Sequence, residues 1–236
     1  LLKELEVSSP AKMIDAALDV KHDGGDKAGL DIEDPQPWPD PVNGAELIQE
    51  IVDTIKRFLV IPDESTIAAA LWILHAHAHE AAFVSPFLAL LSPEKRCGKT
   101  TMLQVVGAMV PRRLPTSNIS PAAIYRSVEK WQPTLLIDEA DTFLKSKDNP
   151  ELRGILNSGH TRTTAYVVRC SEPNFEPLQF STWCPKIIGM IGTLPDTLED
   201  RSIICQLRRK GLGETVVALR ADRLEKLDPV CRSEER

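Results

Sequence analysis

The stretch Phe87-Leu88-Ala89-Leu90-Leu91-Ser92-Pro93-Glu94-Lys95-Arg96-Cys97-Gly98-Lys99-Thr100-Thr101-Met102-Leu103 sets the frame for the rest of the chain. Its apolar opening predicts a strand, Gly98-Lys99-Thr100 closes a tight loop, and the residues after it start a helix. Strand, loop and helix in that order surround a polyphosphate with backbone N–H groups and a helix N-terminus. In this reading Pro93, Glu94, Lys95, Arg96, Cys97, Gly98, Lys99, Thr100 and Thr101 form the nucleotide-binding loop. Lys99 reaches the β- and γ-phosphates, and the Thr100 hydroxyl holds a magnesium ion. The pattern departs from G-x-x-x-x-G-K-[ST] at one place, where Pro93 stands for the first glycine. A bare Gly-Lys-[Ser/Thr] arises by chance in about one chain in ten of this length, so the remaining sequence has to corroborate it.

The corroboration is Trp131-Gln132-Pro133-Thr134-Leu135-Leu136-Ile137-Asp138-Glu139-Ala140-Asp141, an apolar strand running straight into acids. Asp138 is expected to hold magnesium, directly or through a water, and Glu139 to polarise the attacking water. A strand followed by an acidic helix cap is common on its own; the pairing with the Gly-Lys-Thr loop is what decides. Lys99 and Asp138 lie 39 residues apart, which leaves room for a helix, a strand and a second helix between two parallel strands. Farther on, Lys186-Ile187-Ile188-Gly189-Met190-Ile191 predicts another buried strand, delivering Thr193 beyond its C-terminal end. Ligands sit at such strand ends, so Thr193 is a candidate to sense a γ-phosphate or orient water. Arg201 precedes a fifth strand, Ile203–Leu207; it either pairs locally with Asp200 or acts as an arginine finger on a neighbouring subunit's nucleotide.

Outward from this centre, residues 1–20 predict a short amphipathic helix. Residues 21–44 form a linker rich in Asp, Gly and Pro, in which Trp38 is either an anchor or an exposed side chain. Helices are expected over about Gly44–Leu59 and Ser65–Glu80. The second approaches the length of a membrane span, but its three histidines and Glu80 mark it as a buried helix. His75 and His79 share a face, yet no third ligand is identifiable, so packing and hydrogen bonding are expected rather than a metal site. Ser120-Pro121 predicts an N-cap and first helical residue, opening a helix to about Lys130. Asn149–Gly159 reads as a short helix. The segments Thr163–Cys170 and Leu178–Trp183 read as an inserted β-hairpin, made locally basic by Arg162 and Arg169; it is either a nucleic-acid contact or an ordinary surface hairpin. Arg208-Arg209-Lys210 is expected to be a solvated basic face, or one directed at phosphate or DNA. A helix is expected over Glu214–Leu227, ending in a polar tail without a helical lid.

Composition bounds the function. The 236 residues are 42% hydrophobic and 26% charged, as in ordinary globular proteins. Residues 1–45 hold four lysines against ten Asp and Glu, so the whole net charge of −6 lies there and residues 46–236 balance at zero. That excludes coating nucleic acid by bulk charge, while a local basic channel stays open. Five dispersed cysteines without C-x-x-C spacing fit reduced thiols in a cytoplasmic protein better than disulfides or zinc. The chain opens on Leu1 without an initiator methionine and is expected to be a fragment of a longer protein; no signal peptide is recognisable. The expected domains are an N-terminal helix and linker over 1–45, a three-layer α/β P-loop domain over 46–212 with a helical lead-in over 46–84, and a C-terminal helix and tail over 213–236.

Pro93–Thr101, Leu136-Ile137-Asp138-Glu139-Ala140-Asp141, Leu156-Asn157-Ser158-Gly159-His160 and Leu194-Pro195-Asp196-Thr197-Leu198-Glu199-Asp200-Arg201-Ser202-Ile203 together resemble a family of uncharacterised ATPases. Its members occur in phages, mobile elements and bacterial chromosomes, often fused behind a primase-like module. The Pro-Trp-Pro linker and Leu71-Trp72-Ile73-Leu74-His75 also resemble it. The family is similar in turn to AAA+ ring ATPases, near the superfamily 3 and minichromosome-maintenance helicases, and its pattern tends to lack the first loop glycine. The resemblance implies Mg²⁺-dependent ATP hydrolysis coupled to work on DNA by a homo-oligomeric ring such as a hexamer, with single-stranded DNA as a partner and no membrane. Arg201 is then expected to supply transition-state charge in trans. Two alternatives stand beside the motor: an ATPase switch that assembles with partners in defence or regulation, and a nucleotide-binding module with a dead site. The intact Lys99, Thr100, Asp138 and Glu139 weigh against the last.

Overall fold

A computed structural model describes residues 41–117, 119–144, 150–171 and 176–219, with Ile32, Asp34, Pro35 and Pro39 ahead of them. The expected helix over 1–20, Trp38 and the polar tail lie outside the described residues. Two helices lead in, α1 (Gly44–Phe58) and α2 (Asp63–His77). The first is started by Asn43, whose side chain accepts the Ala45 N–H, satisfying one of the amides a helix start leaves bare. A short 3₁₀ turn (His79–Ala81) ends the second, so the expected run to Glu80 tightens in its last turn.

Five parallel strands follow, β1 (Phe87–Ser92), β2 (Arg113–Thr116), β3 (Thr134–Ile137), β6 (Lys186–Ile191) and β7 (Ser202–Gln206), in the spatial order β2-β3-β6-β1-β7. Between them run α3 (Lys99–Gly107), α4 (Pro121–Trp131), α5 (Asp141–Leu144), α6 (Pro150–Ser158) and α7 (Asp196–Glu199). An antiparallel pair, β4 (Tyr166–Ser171) and β5 (Glu176–Ser181), forms the inserted hairpin. Leu88 and Leu90 of β1 face a core built with α1, α2 and α3. Phe87, Ala89 and Leu91 face a second core built with α4 and α6. Alternate residues buried on both sides are what a parallel sheet covered by helices on each face requires. The result is a central parallel sheet with flanking helices, the arrangement of a three-layer α/β fold. Among the described residues no helix is long and apolar enough to cross a membrane.

Two segments differ from expectation. Arg113–Thr116 overlaps Pro111-Arg112-Arg113-Leu114-Pro115, whose two prolines predict the end of the helix that follows the Gly-Lys-Thr loop, yet it is the edge strand β2; Pro115 is tolerated there because one side of an edge strand needs no N–H donor. Glu214–Leu219, expected to be helical, carries no regular structure. The Glu214 carboxylate is held by both terminal nitrogens of Arg208 at 2.6 Å and by the Gly211 N–H. Val217 N–H donates instead to the Arg57 carbonyl of α1, at 2.9 Å. These links turn the segment into a strap, and the remainder of the expected helix, 220–227, lies outside the described residues.

Candidate nucleotide site

Because the five strands are parallel, the turns after β1, β3 and β6 all emerge at one edge of the sheet. The turn after β1 is the Gly-Lys-Thr loop. Gly98 takes φ 86° and caps α3, receiving the Met102 N–H on its carbonyl at 2.8 Å. The first-turn amides of α3 have no acceptor inside the helix, and the macrodipole adds positive potential there. Left-handed backbone falls at Arg96 (φ 65°) and Gly98, not at residue 93. The position of the missing glycine therefore asks for nothing that proline refuses, since proline's φ is fixed near −65°. An open cavity of about 200 Å³ is lined by Arg96, Cys97, Gly98, Lys99, Thr100 and Thr101. Lys99 Nζ donates to Ser92 Oγ at 3.2 Å.

The turn after β3 brings the acids to the same place. Asp138 N–H donates to Thr116 O of β2 at 2.9 Å, extending the sheet by one rung. Thr100 Oγ1 donates to Asp138 Oδ2 at 3.1 Å, so residues 38 apart in sequence meet side chain to side chain. Asp138 Oδ1 accepts the Glu139 N–H at 2.8 Å, and Glu139 is exposed with φ 53°. A non-glycine residue in that region costs about 1–2 kcal/mol, and such strain collects at functional positions. A threonine hydroxyl and a carboxylate are hard oxygen donors of the kind magnesium takes. After β6, Gly192 (φ 90°) donates its N–H to Ser92 O at 2.9 Å, leaving exposed Thr193 beside the end of β1.

No protein-family model and no curated protein matches the chain.

Lys99, Thr100, Asp138, Glu139 and Thr193 thus share one edge. Arg201 does not. Phe87 N–H donates to Arg201 O, and Ser202 is in register with Phe87. Arg201 therefore lies a full strand, about 17 Å at 3.3 Å per residue, from the loop that follows Ser92. Its guanidinium donates to Thr197 O. The hairpin arginines are also engaged within the chain: Arg162 pairs with Glu80 at 3.5 Å, and Arg169 pairs with Glu151 at 2.8 Å and lies over the Tyr125 ring. His79 is buried, with Nε2 2.9 Å from Ser85 Oγ and its ring stacked on Trp183. Among the described residues no group of three metal-ligating side chains forms, at His75 and His79 or elsewhere.

Three participants escape a reading of the sequence. Ser92 takes the Lys99 ammonium, though it reads only as the last residue of a strand. Gly189 leaves room for the carboxylate: a Cβ there would stand 3.2 Å from Asp138 Oδ1 and 2.9 Å from Leu103 of α3. Arg209, in a cluster that reads as a solvated face or one directed at phosphate or DNA, lies 3.0 Å from the Glu94 carboxylate in the loop. Gly189 leaves a trace in the sequence, as a glycine inside a buried strand, which marks close approach; Arg209 shows only its charge.

Proposed function

We propose that the chain is a Mg²⁺-dependent ATPase of the P-loop, AAA+-like class. The observation that carries the reading is the 3.1 Å hydrogen bond joining Thr100 of the Gly-Lys-Thr loop to Asp138 of the acidic strand end. It unites two motifs that are each common alone. In this mechanism the loop amides and Lys99 bind and neutralise the β- and γ-phosphates. Thr100 and Asp138 would hold magnesium, which when bound would supply charge neutralisation to the phosphates. Glu139 orients the attacking water and accepts its proton, with Thr193 holding that water in line. Arg201 is too far from its own loop and serves a neighbouring copy, which calls for a head-to-tail ring.

By the resemblance, the work done is that of the motor part of a phage or mobile-element DNA helicase or primase-helicase. An ATPase switch without DNA coupling is the second reading, favoured by the engagement of Arg162 and Arg169 in ion pairs within the chain. Phosphate release by wild type and Glu139→Gln, with and without single-stranded DNA, tests both. Turnover lost in Glu139→Gln supports the ATPase, and stimulation by DNA supports the motor. No turnover in wild type would sink the enzyme reading, and turnover indifferent to DNA would favour the switch.

A further inference from the structure

A phosphate loop works through its N–H groups, so its carbonyls must turn away and find donors elsewhere. Here two consecutive carbonyls are pinned. Ser92 Oγ donates to Glu94 O at 2.9 Å. Arg209 donates to Lys95 O from both Nε and Nη2, each at 3.1 Å. The loop also carries a carboxylate, Glu94, and a free carboxylate beside a polyphosphate repels it. Arg209 Nη2 lies 3.0 Å from Glu94 Oε2. One guanidinium thus fixes the loop backbone and cancels the misplaced charge, a double task suited to the planar fork of arginine.

We infer that Arg209 is a positioning residue for nucleotide binding, clamping the Glu94–Lys95 half of the phosphate loop from the end of β7. The inference rests on the nucleotide reading of that loop. Its neighbour provides an internal control. Arg208 holds Glu214, with both bonds at 2.6 Å, and donates to the Arg209 carbonyl at 3.1 Å, so its hydrogen bonds fix the strap and none reaches the loop. The clamp also accounts for the tolerance of Pro93: the first half of the loop is held by side chains from outside it.

The test is calorimetric titration of Mg-ADP, with Mg-ATP steady-state kinetics, on wild type, Arg209→Ala, Arg209→Ala/Glu94→Gln, Arg209→Lys and Arg208→Ala. Arg209→Ala is expected to weaken Mg-ADP binding by about tenfold, the weight of a charge-assisted hydrogen bond, and to raise KM with little change in kcat, because the loop grips ground and transition states alike. Adding Glu94→Gln is expected to recover roughly half of the loss on a logarithmic scale, since it removes the uncompensated charge. Arg209→Lys is expected to fall between wild type and Arg209→Ala, and Arg208→Ala to bind like wild type. Unchanged binding in Arg209→Ala, or no recovery in the double variant, would overturn the clamp. Failure of wild type to bind Mg-ADP would overturn the nucleotide reading itself, a separate outcome.

Discussion

Lys99 and Lys186 stand at opposite edges of the same sheet, and their surroundings could hardly differ more. Lys186 is 2% exposed, and its ammonium donates to Gly159 O at 3.3 Å, Thr182 O at 3.1 Å and Cys184 O at 2.8 Å. All three donors of the group are used, and burial pulls its pKa below the ordinary lysine range. Lys99 is half-buried beside an open cavity, and among the described residues its ammonium donates to Ser92 Oγ alone. One lysine closes a polar shell around itself; the other faces space that a ligand can fill. The edge with Lys186, His79, Ser85 and Trp183 is therefore structural. The edge with Lys99, Thr100, Asp138 and Glu139 is the one to which the proposed function assigns an anion and a cation.

The sharpest way to break this contrast is to remove each lysine. Lys99→Ala is expected to lower turnover by at least about a hundredfold, the scale of losing one preorganised charge contact, with Tm close to wild type. Lys186→Met is expected to cost about 3 kcal/mol, because buried carbonyls lose their donor. Equal Tm losses in denaturation scans of the two would erase the distinction. Next in size is Gly189→Ala, whose Cβ intrudes on Asp138 and Leu103. Overpacking of this kind costs about 1–3 kcal/mol, and the displaced carboxylate should raise the magnesium concentration needed for half-maximal turnover.

The structural edge also has a pH signature. Burial first, then the charges of Lys186, His75, Arg162 and Arg112, pulls the His79 pKa down to about 3 from 6.5. The unfolded chain then binds a proton that the folded chain refuses. Stability from this group is complete above pH 6.5 and falls as pH drops from 6.5 toward 3, by up to about 1.4 kcal/mol per pH unit. Urea unfolding of wild type and His79→Gln between pH 5 and 7 checks it: the slope against pH should be shallower in the variant, and identical slopes would contradict the assignment. Smallest is Glu139→Gly, which relieves the left-handed backbone. It should raise stability by about 1 kcal/mol while abolishing turnover. Lost stability would show that the conformation at Glu139 is not strained.

Much of the candidate site's placement in the fold is legible because its two halves are written locally. Gly98-Lys99-Thr100 and Ile137-Asp138-Glu139 each follow an apolar run, and their spacing leaves room for the elements that let two parallel strands bring them together. What was not legible depends on tertiary partners. Arg113–Thr116 looks like a proline-bounded break until β3 supplies its hydrogen bonds. Arg209 reads as a solvated or a phosphate-directed charge, and its partner in the loop shows only where the chain leaves β7. Glu214 begins a plausible helix until Arg208 captures it. Arg162 and Arg169 read equally as nucleic-acid contacts or as an ordinary surface hairpin, and the sequence shows neither the Glu80 nor the Glu151 carboxylate beside them. Charged side chains are the hardest to read, because the sequence shows the charge and not the partner.

The most direct test of the contrast is phosphate release from Mg-ATP by wild type, Lys99→Ala and Lys186→Met, measured well below the lowest Tm of the three. The expected result is turnover in wild type, turnover retained in the less stable Lys186→Met, and none in the stable Lys99→Ala. Wild type without turnover, or Lys99→Ala as active as wild type, would contradict a nucleotide site at the Lys99 edge.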